Sequence, residues 1–179
     1  MSAFLALSRV IDATSKAAGH LATWLVLGAC LVSAGNAAVR YVFGYSSNGL
    51  LEIQWYMFGG VVFLGAAHTL RVNEHVRVDL IYGSVSERTR IWIDAIGFLV
   101  FLIPVGVYLT YLCVPFFLRS FEIGEWSNNA GGLILWPIKL VLPLGFALLT
   151  LQGTSELIKR LAALQGSLAL DTHYEKPLQ

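Results

Sequence analysis

AIGFLVFLIPVGVYLTYLCVPFFL, residues Ala95 to Leu118, carries no formally charged side chain. A helix rises 1.5 Å per residue, so about 20 apolar residues cross the roughly 30 Å of bilayer hydrocarbon. This stretch is long enough to do so. Three further runs have the same character: Leu21–Val39, Ile53–Leu70 (uncharged apart from His68) and Leu140–Ser155. The last reaches spanning length if its helix begins near Leu133 and Lys139 extends its ammonium to the interface. Within lipid a helix satisfies its own backbone, and none of these runs alternates with the two-residue period of a barrel strand. The expectation is an all-α integral membrane protein with transmembrane helices near 18–41, 50–71, 87–118 and 133–158, forming one domain over 1–165.

Composition agrees. Hydrophobic residues make up 56% of the chain, charged residues only 13%, and the mean hydropathy is +0.68. Ordinary soluble domains are about a quarter charged. A net charge of +1 leaves no basic excess to neutralise phosphates, which argues against a nucleic-acid partner. Cys30 and Cys113 both lie in apolar runs and are expected to be small buried hydrophobes, not a disulfide or a zinc site. Dinucleotide, phosphate-loop, zinc-protease and nucleophile-elbow motifs are absent from the sequence. No cofactor is expected.

Boundary residues support the spans. Ser86 followed by Glu87 suits the start of the third helix, and Pro137 suits the first turn of the fourth. Pro104 should distort the third helix. Trp126, Trp136, Tyr41 and Tyr45 are placed as interfacial anchors. With four spans, both termini and the middle loop share a side. That side holds nine Lys or Arg residues (Arg9, Lys16, Arg71, Arg77, Arg88, Arg90, Lys159, Arg160, Lys176), against Arg40, Arg119 and Lys139 opposite. The asymmetry puts both termini in the cytoplasm. A cleaved signal peptide ending near Cys30 is disfavoured, because the apolar run continues to Val39. Residues 166–179 read as a polar cytoplasmic tail.

Several charged groups are candidates for function. Arg71-Val72-Asn73-Glu74-His75-Val76-Arg77-Val78-Asp79-Leu80-Ile81-Tyr82 mixes both signs with spaced apolar residues. It suits a short amphipathic element between helices 2 and 3 lying on the interface against lipid or another subunit, or a solvated loop. Glu74, His75 and Asp79 are too few and too scattered to favour a metal site. Arg40 closes the first span and Glu52 opens the second, across a Gly/Ser/Asn-rich turn that makes an antiparallel hairpin. Their similar depth suggests an ion pair, with partner or substrate contact as the alternative. His20 and His68 suit water-accessible interfacial positions more than a bis-histidine haem. Lys139 reads as an anchor in preference to a buried counter-ion.

Two segments carry a resemblance. NAAVRYVFGYSSNGLLE (Asn36–Glu52) resembles the first-hairpin signature of the small, DctQ-like membrane subunits of TRAP transporters. FLGAAHTLR (Phe63–Arg71) with HVRVD (His75–Asp79) resembles their second signature, and the likeness extends from about Val32 to Arg160. Many members carry two adjacent acids where this chain has Glu52 and then Ile53. The resemblance implies a subunit of a tripartite transporter in the bacterial inner membrane. A periplasmic solute-binding protein would capture a carboxylate-bearing solute, and a large multi-span subunit would carry it with sodium. This chain would scaffold the large subunit and help dock the binding protein. Small residues on span two (Gly59, Gly60, Gly65, Ala66 and Ala67) are expected to pack against that partner. A membrane anchor of a redox enzyme and a stand-alone small carrier are the competing functions.

Overall fold

The computed structural model describes residues 2–45, 47–74 and 85–168. Four long helices account for most of them. Helix α1 is Ser2–Phe43, α2 is Asn48–Val72, α3 is Glu87–Glu122 and α4 is Trp136–Leu164. Each contains a window apolar enough to cross a membrane. Among the described residues there is no strand, only an isolated bridge between Trp126 and Ile134. The all-α membrane architecture expected from the charge-free runs is therefore what forms. Of the expected amphipathic segment Arg71–Tyr82, residues 75–82 lie outside the described residues, as does the tail from 169 onward.

Two helices differ from expectation in instructive ways. Helix α1 starts at Ser2, not near residue 18, and runs unbroken for 42 residues. At 1.5 Å per residue it is about 63 Å long, roughly twice the hydrocarbon thickness. Its buried positions explain the continuity: Ser8, Ser15, Ala22, Ala29 and Asn36 recur every seventh residue along one seam. A seven-residue repeat keeps one face of a helix turned toward its neighbours over any length. The seam rests on α4 near the N-terminus and on α2 nearer the membrane-crossing part. Arg9, Asp12 and Lys16 interrupt hydropathy without interrupting this pattern.

Helix α3 widens into a π turn over Phe98–Leu102, where Ile103 N–H bonds the Phe98 carbonyl five residues back. Pro104 has no N–H for the Val100 carbonyl, and its ring crowds that oxygen. The π turn directly before it is how the helix absorbs the proline. Ser86 caps the helix as expected, accepting from Thr89 N–H at 3.4 Å.

Helix α4 is the axis of the bundle, contacting α1, α2 and α3. It does so through residues without bulk. A Cβ placed on Gly145 would lie 2.8 Å from the Phe63 carbonyl oxygen of α2. Gly153 and Gly106 are likewise filled, by Leu102 of α3 and by Thr150 of α4 respectively. Phe63 and Phe146 stack edge to face with centroids 5.4 Å apart beside the Gly145 contact. Because Gly145 meets backbone, which cannot rotate away, Gly145→Ala should destabilise the bundle by about 1–3 kcal/mol. Thermal unfolding in detergent would register that loss, whereas Gly97→Ala, whose Cβ would meet nothing within 4 Å, should leave the midpoint unchanged or slightly raised.

Candidate functional site

Polar chemistry concentrates at the two ends of the bundle. At one end the chain between α3 and α4 folds back over the α1–α2 hairpin. Ser127 N–H bonds the Leu133 carbonyl at 2.9 Å and Leu135 N–H bonds the Glu125 carbonyl at 2.8 Å, which closes a narrow loop. Gly124 and Gly131 occupy left-handed backbone conformations (φ 57° and 69°) at its two reversals, where a Cβ would be strained.

Glu52 holds this loop down. Its side chain is buried, with the residue 3% exposed. One carboxylate oxygen accepts from Ser127 Oγ and from Asn129 Nδ2 at 2.8 Å, and the other accepts from Leu133 N–H at 2.7 Å. Asn48 Nδ2 donates to the Ala130 carbonyl at 2.8 Å and Tyr56 O–H to the Ile134 carbonyl at 2.9 Å. Thus three residues one turn apart on α2 address three parts of one loop. The ion pair with Arg40 does not form, since these donors occupy Glu52 and Arg40 is exposed at the end of α1. Hydrogen bonds to an ionised carboxylate are the stronger kind, and here they replace the missing counter-charge.

Lys139, at the base of the same loop, is a counter-ion and not an anchor reaching for water. Its ammonium pairs with Glu125 and lies 4.3 Å from the centre of the Phe116 ring. The hydrogen bond from Lys139 holds the Glu125 carboxyl below its ordinary value of 4.5.

A denser network ties the other end. Lys159 bonds Asp12 at 3.2 Å and also pairs with Glu156. Arg160 bonds Glu156 at 2.8 Å and Asp94 at 3.2 Å. Gln152 Nε2 bridges Asp12 and Glu156 at 2.9 and 3.0 Å, while Ser155 Oγ lies 2.8 Å from Asp12 and 2.7 Å from Ser8 Oγ. Ser8 and Asp12 belong to α1, Asp94 to α3 and the other five to α4, so three helices meet in one polar clamp. None of these residues was singled out as a functional candidate from sequence. A signal was present in the spacing: Gln152, Ser155, Glu156 and Lys159 fall at i, i+3, i+4 and i+7, a polar stripe in an otherwise apolar helix.

The remaining sequence candidates are dispersed. Gly60 meets Leu25 of α1, where an added Cβ would lie 2.6 Å from Cδ1, and Gly65 faces Ala22 at 3.7 Å. Gly59 is filled by Ile138 of α4, and Ala67 is fully buried. Gly59, Gly60 and Ala67 are thus taken up in the chain's own contacts, while Gly65 and Ala66 are half-buried. Arg71 lies 3.4 Å from His68 Nδ1, and His68 packs against Gly19. His20 Nδ1 bonds the Lys16 carbonyl at 2.8 Å. His75, Arg77 and Asp79 lie outside the described residues. Among the described residues no three His, Cys, Asp or Glu side chains cluster as a metal site would require.

A four-helix bundle closed by polar contacts at both ends and apolar between them is a small multi-pass membrane protein. Residues 29–163 match the family described as Tripartite ATP-independent periplasmic transporters, DctQ component, and the chain belongs to that family. It is accordingly the small membrane subunit of a transporter that also has other membrane and binding-protein components. No curated protein and no solved structure matches the chain.

Two predictions follow from the loop's chemistry. In Glu52→Ala three donors lose their acceptor, so the Leu133 amide should exchange hydrogen about tenfold faster or more, while amides in the middle of α2 stay protected. Hydrogen-exchange mass spectrometry of the loop peptide checks this. For Glu125 the folded value lies below 4.5, so its contribution to stability is complete above that pH. It is lost as pH falls through the folded value. Wild type should therefore be more stable than Glu125→Gln above about pH 4.5, with the difference closing under acid, as measured by paired melting curves.

Proposed function

We propose that this chain is the fixed scaffold of its transporter, holding a large sodium-coupled transport subunit in the inner membrane and helping to dock a periplasmic solute-binding protein that delivers a carboxylate-type solute. The observation that carries this reading is how little of itself the chain buries. Within the apolar windows of α1, α2 and α3, only 17%, 22% and 11% of residues are buried, against 33% in the central α4. Internally the bundle is pinned at both ends and along α4; outward it offers apolar surface on every side. That combination suits a rigid frame against which something else moves.

The Lys and Arg asymmetry supports an orientation with both termini cytoplasmic. The clamp of Asp12, Glu156, Lys159 and Arg160 then belongs to the cytoplasmic end, and the Glu52-anchored loop faces the periplasm. A loop fixed by a buried carboxylate is a suitable platform for a soluble binding protein, since little ordering is left to be done on contact. Arg40, exposed beside it, supplies a cation at the same rim.

Pull-down of the tagged chain from its own host in gentle detergent, followed by sodium-driven uptake in proteoliposomes, tests this. A large multi-span protein should co-elute in near-equal amount, and uptake should require both subunits, the binding protein and a sodium gradient. Elution alone, elution with a haem-coloured redox enzyme, or uptake by this chain by itself would each overturn the scaffold reading.

A further inference from the structure

Helix α3 is the most exposed of the four spans and also the most apolar, yet one stripe of it is chemically unsuited to lipid. Pro104, Tyr108, Tyr111 and Pro115 are all exposed, Tyr108 at 60% and Tyr111 at 71%. At about 100° per residue, offsets of 4, 7 and 11 place all four within an arc of roughly 60°. Gly106, which packs on Thr150 of α4, falls on the opposite side. The stripe therefore points directly away from the chain's own bundle.

Three hydrogen-bonding groups lie along it. Neither the Tyr108 nor the Tyr111 hydroxyl has a partner among the described residues, in contrast to Tyr56, whose hydroxyl bonds Ile134. Pro115 has no N–H to give the Tyr111 carbonyl, so that oxygen lacks its usual helical donor. Depth makes this costly. Counted along the helix, Tyr108 lies about 16 Å from Arg119 and about 21 Å from Asp94, near the middle of a 30 Å hydrocarbon layer. Helical side chains lean toward the N-terminus, which carries the Tyr111 hydroxyl away from its nearer interface, not toward it. Tyrosines facing lipid are instead favoured at headgroup level.

We infer that the Pro104–Tyr108–Tyr111–Pro115 stripe is the face on which a helix of the large transport subunit docks, and that this helix carries side-chain hydrogen-bonding groups at mid-membrane depth. Lipid tails offer no donor or acceptor, whereas a polar side chain on a neighbouring helix does. The two hydroxyls give register, and the proline-freed carbonyl gives one further acceptor for a Ser, Thr, Asn or Gln donor. This inference rests on the scaffold reading and adds to it the face, the depth and the chemistry of the contact.

The test uses the complete transporter in native membranes, with the photocrosslinker p-benzoylphenylalanine replacing Tyr108, Tyr111 or, as a control on exposed apolar surface of α1, Leu31. Adducts with the large subunit are expected from Tyr108 and Tyr111 and not from Leu31. Independently, Tyr108→Phe and Tyr111→Phe keep ring and volume, and each should weaken recovery of the large subunit by about threefold, or up to tenfold together. Adducts only with lipid, or with a second copy of this chain, would overturn the inference, as would full recovery in the double variant. The underlying reading fails separately: there the large subunit would not co-purify even with wild type.

Discussion

Everything in this bundle depends on how closely helix backbones can approach α4. In lipid there is no hydrophobic drive between helices, because hydrocarbon tails are as apolar as leucine. Association must come from van der Waals contact and hydrogen bonds, and both fall off steeply with distance. Gly145 against the Phe63 backbone and Gly153 against Leu102 are the points where α2 and α3 come close enough. Gly60 against Leu25 does the same within the first hairpin. The glycines cost helix propensity, yet a water-poor environment already favours the helix, so little is lost by using them there.

Polar residues at the two ends then convert proximity into a single arrangement. A buried ion pair is weak evidence of stability, since desolvation offsets much of its Coulomb energy. Its value lies in being exacting: removing one partner strands the other. The clamp couples Asp12, Glu156 and Asp94 to Lys159 and Arg160, with Gln152 and Ser155 supplying further donors. Any shift of α1 along α4 would break several of these bonds together, and a shift of α3 would break the Asp94–Arg160 bond. At the other end Glu52 imposes the same all-or-none geometry on the loop with neutral donors alone. The frame is locked where it meets water and lubricated by apolar surface where it meets lipid.

The spans were legible because hydrocarbon imposes a length and a charge limit that any sequence must display. Ser86, Pro137 and Pro104 are legible for a local reason, the backbone donors a helix lacks or leaves free, although nothing local sets the π turn that absorbs Pro104. The first half of α1 is not legible from hydropathy, which Arg9, Asp12 and Lys16 interrupt, whereas the Ser8, Ser15, Ala22, Ala29 and Asn36 repeat carries the helix straight through them. Glu52 was picked out, but its partners were not: Ser127, Asn129 and Leu133 are 75–81 residues away, and no spacing rule connects them. Asp12 and Lys159, 147 residues apart, present the same difficulty. Arg40 was paired with Glu52 on depth alone. Depth does not distinguish a cation from a loop that folds over the same carboxylate.

The small-residue pattern on α2 makes a related point about reading interfaces in membrane proteins. Glycine and alanine mark close helix contacts, but they do not say whose helix is in contact. Here Gly59, Gly60 and Ala67 are occupied within the chain, so the marker for the partner must be something the chain's own packing leaves unsatisfied. Hydrogen-bonding capacity is a sharper criterion than size, because an unpaired hydroxyl or carbonyl in hydrocarbon carries a penalty that an exposed leucine does not. By that criterion the outward face of α3 stands out, because its hydroxyls, unpaired among the described residues, point away from the chain's own bundle and toward whatever lies beside it.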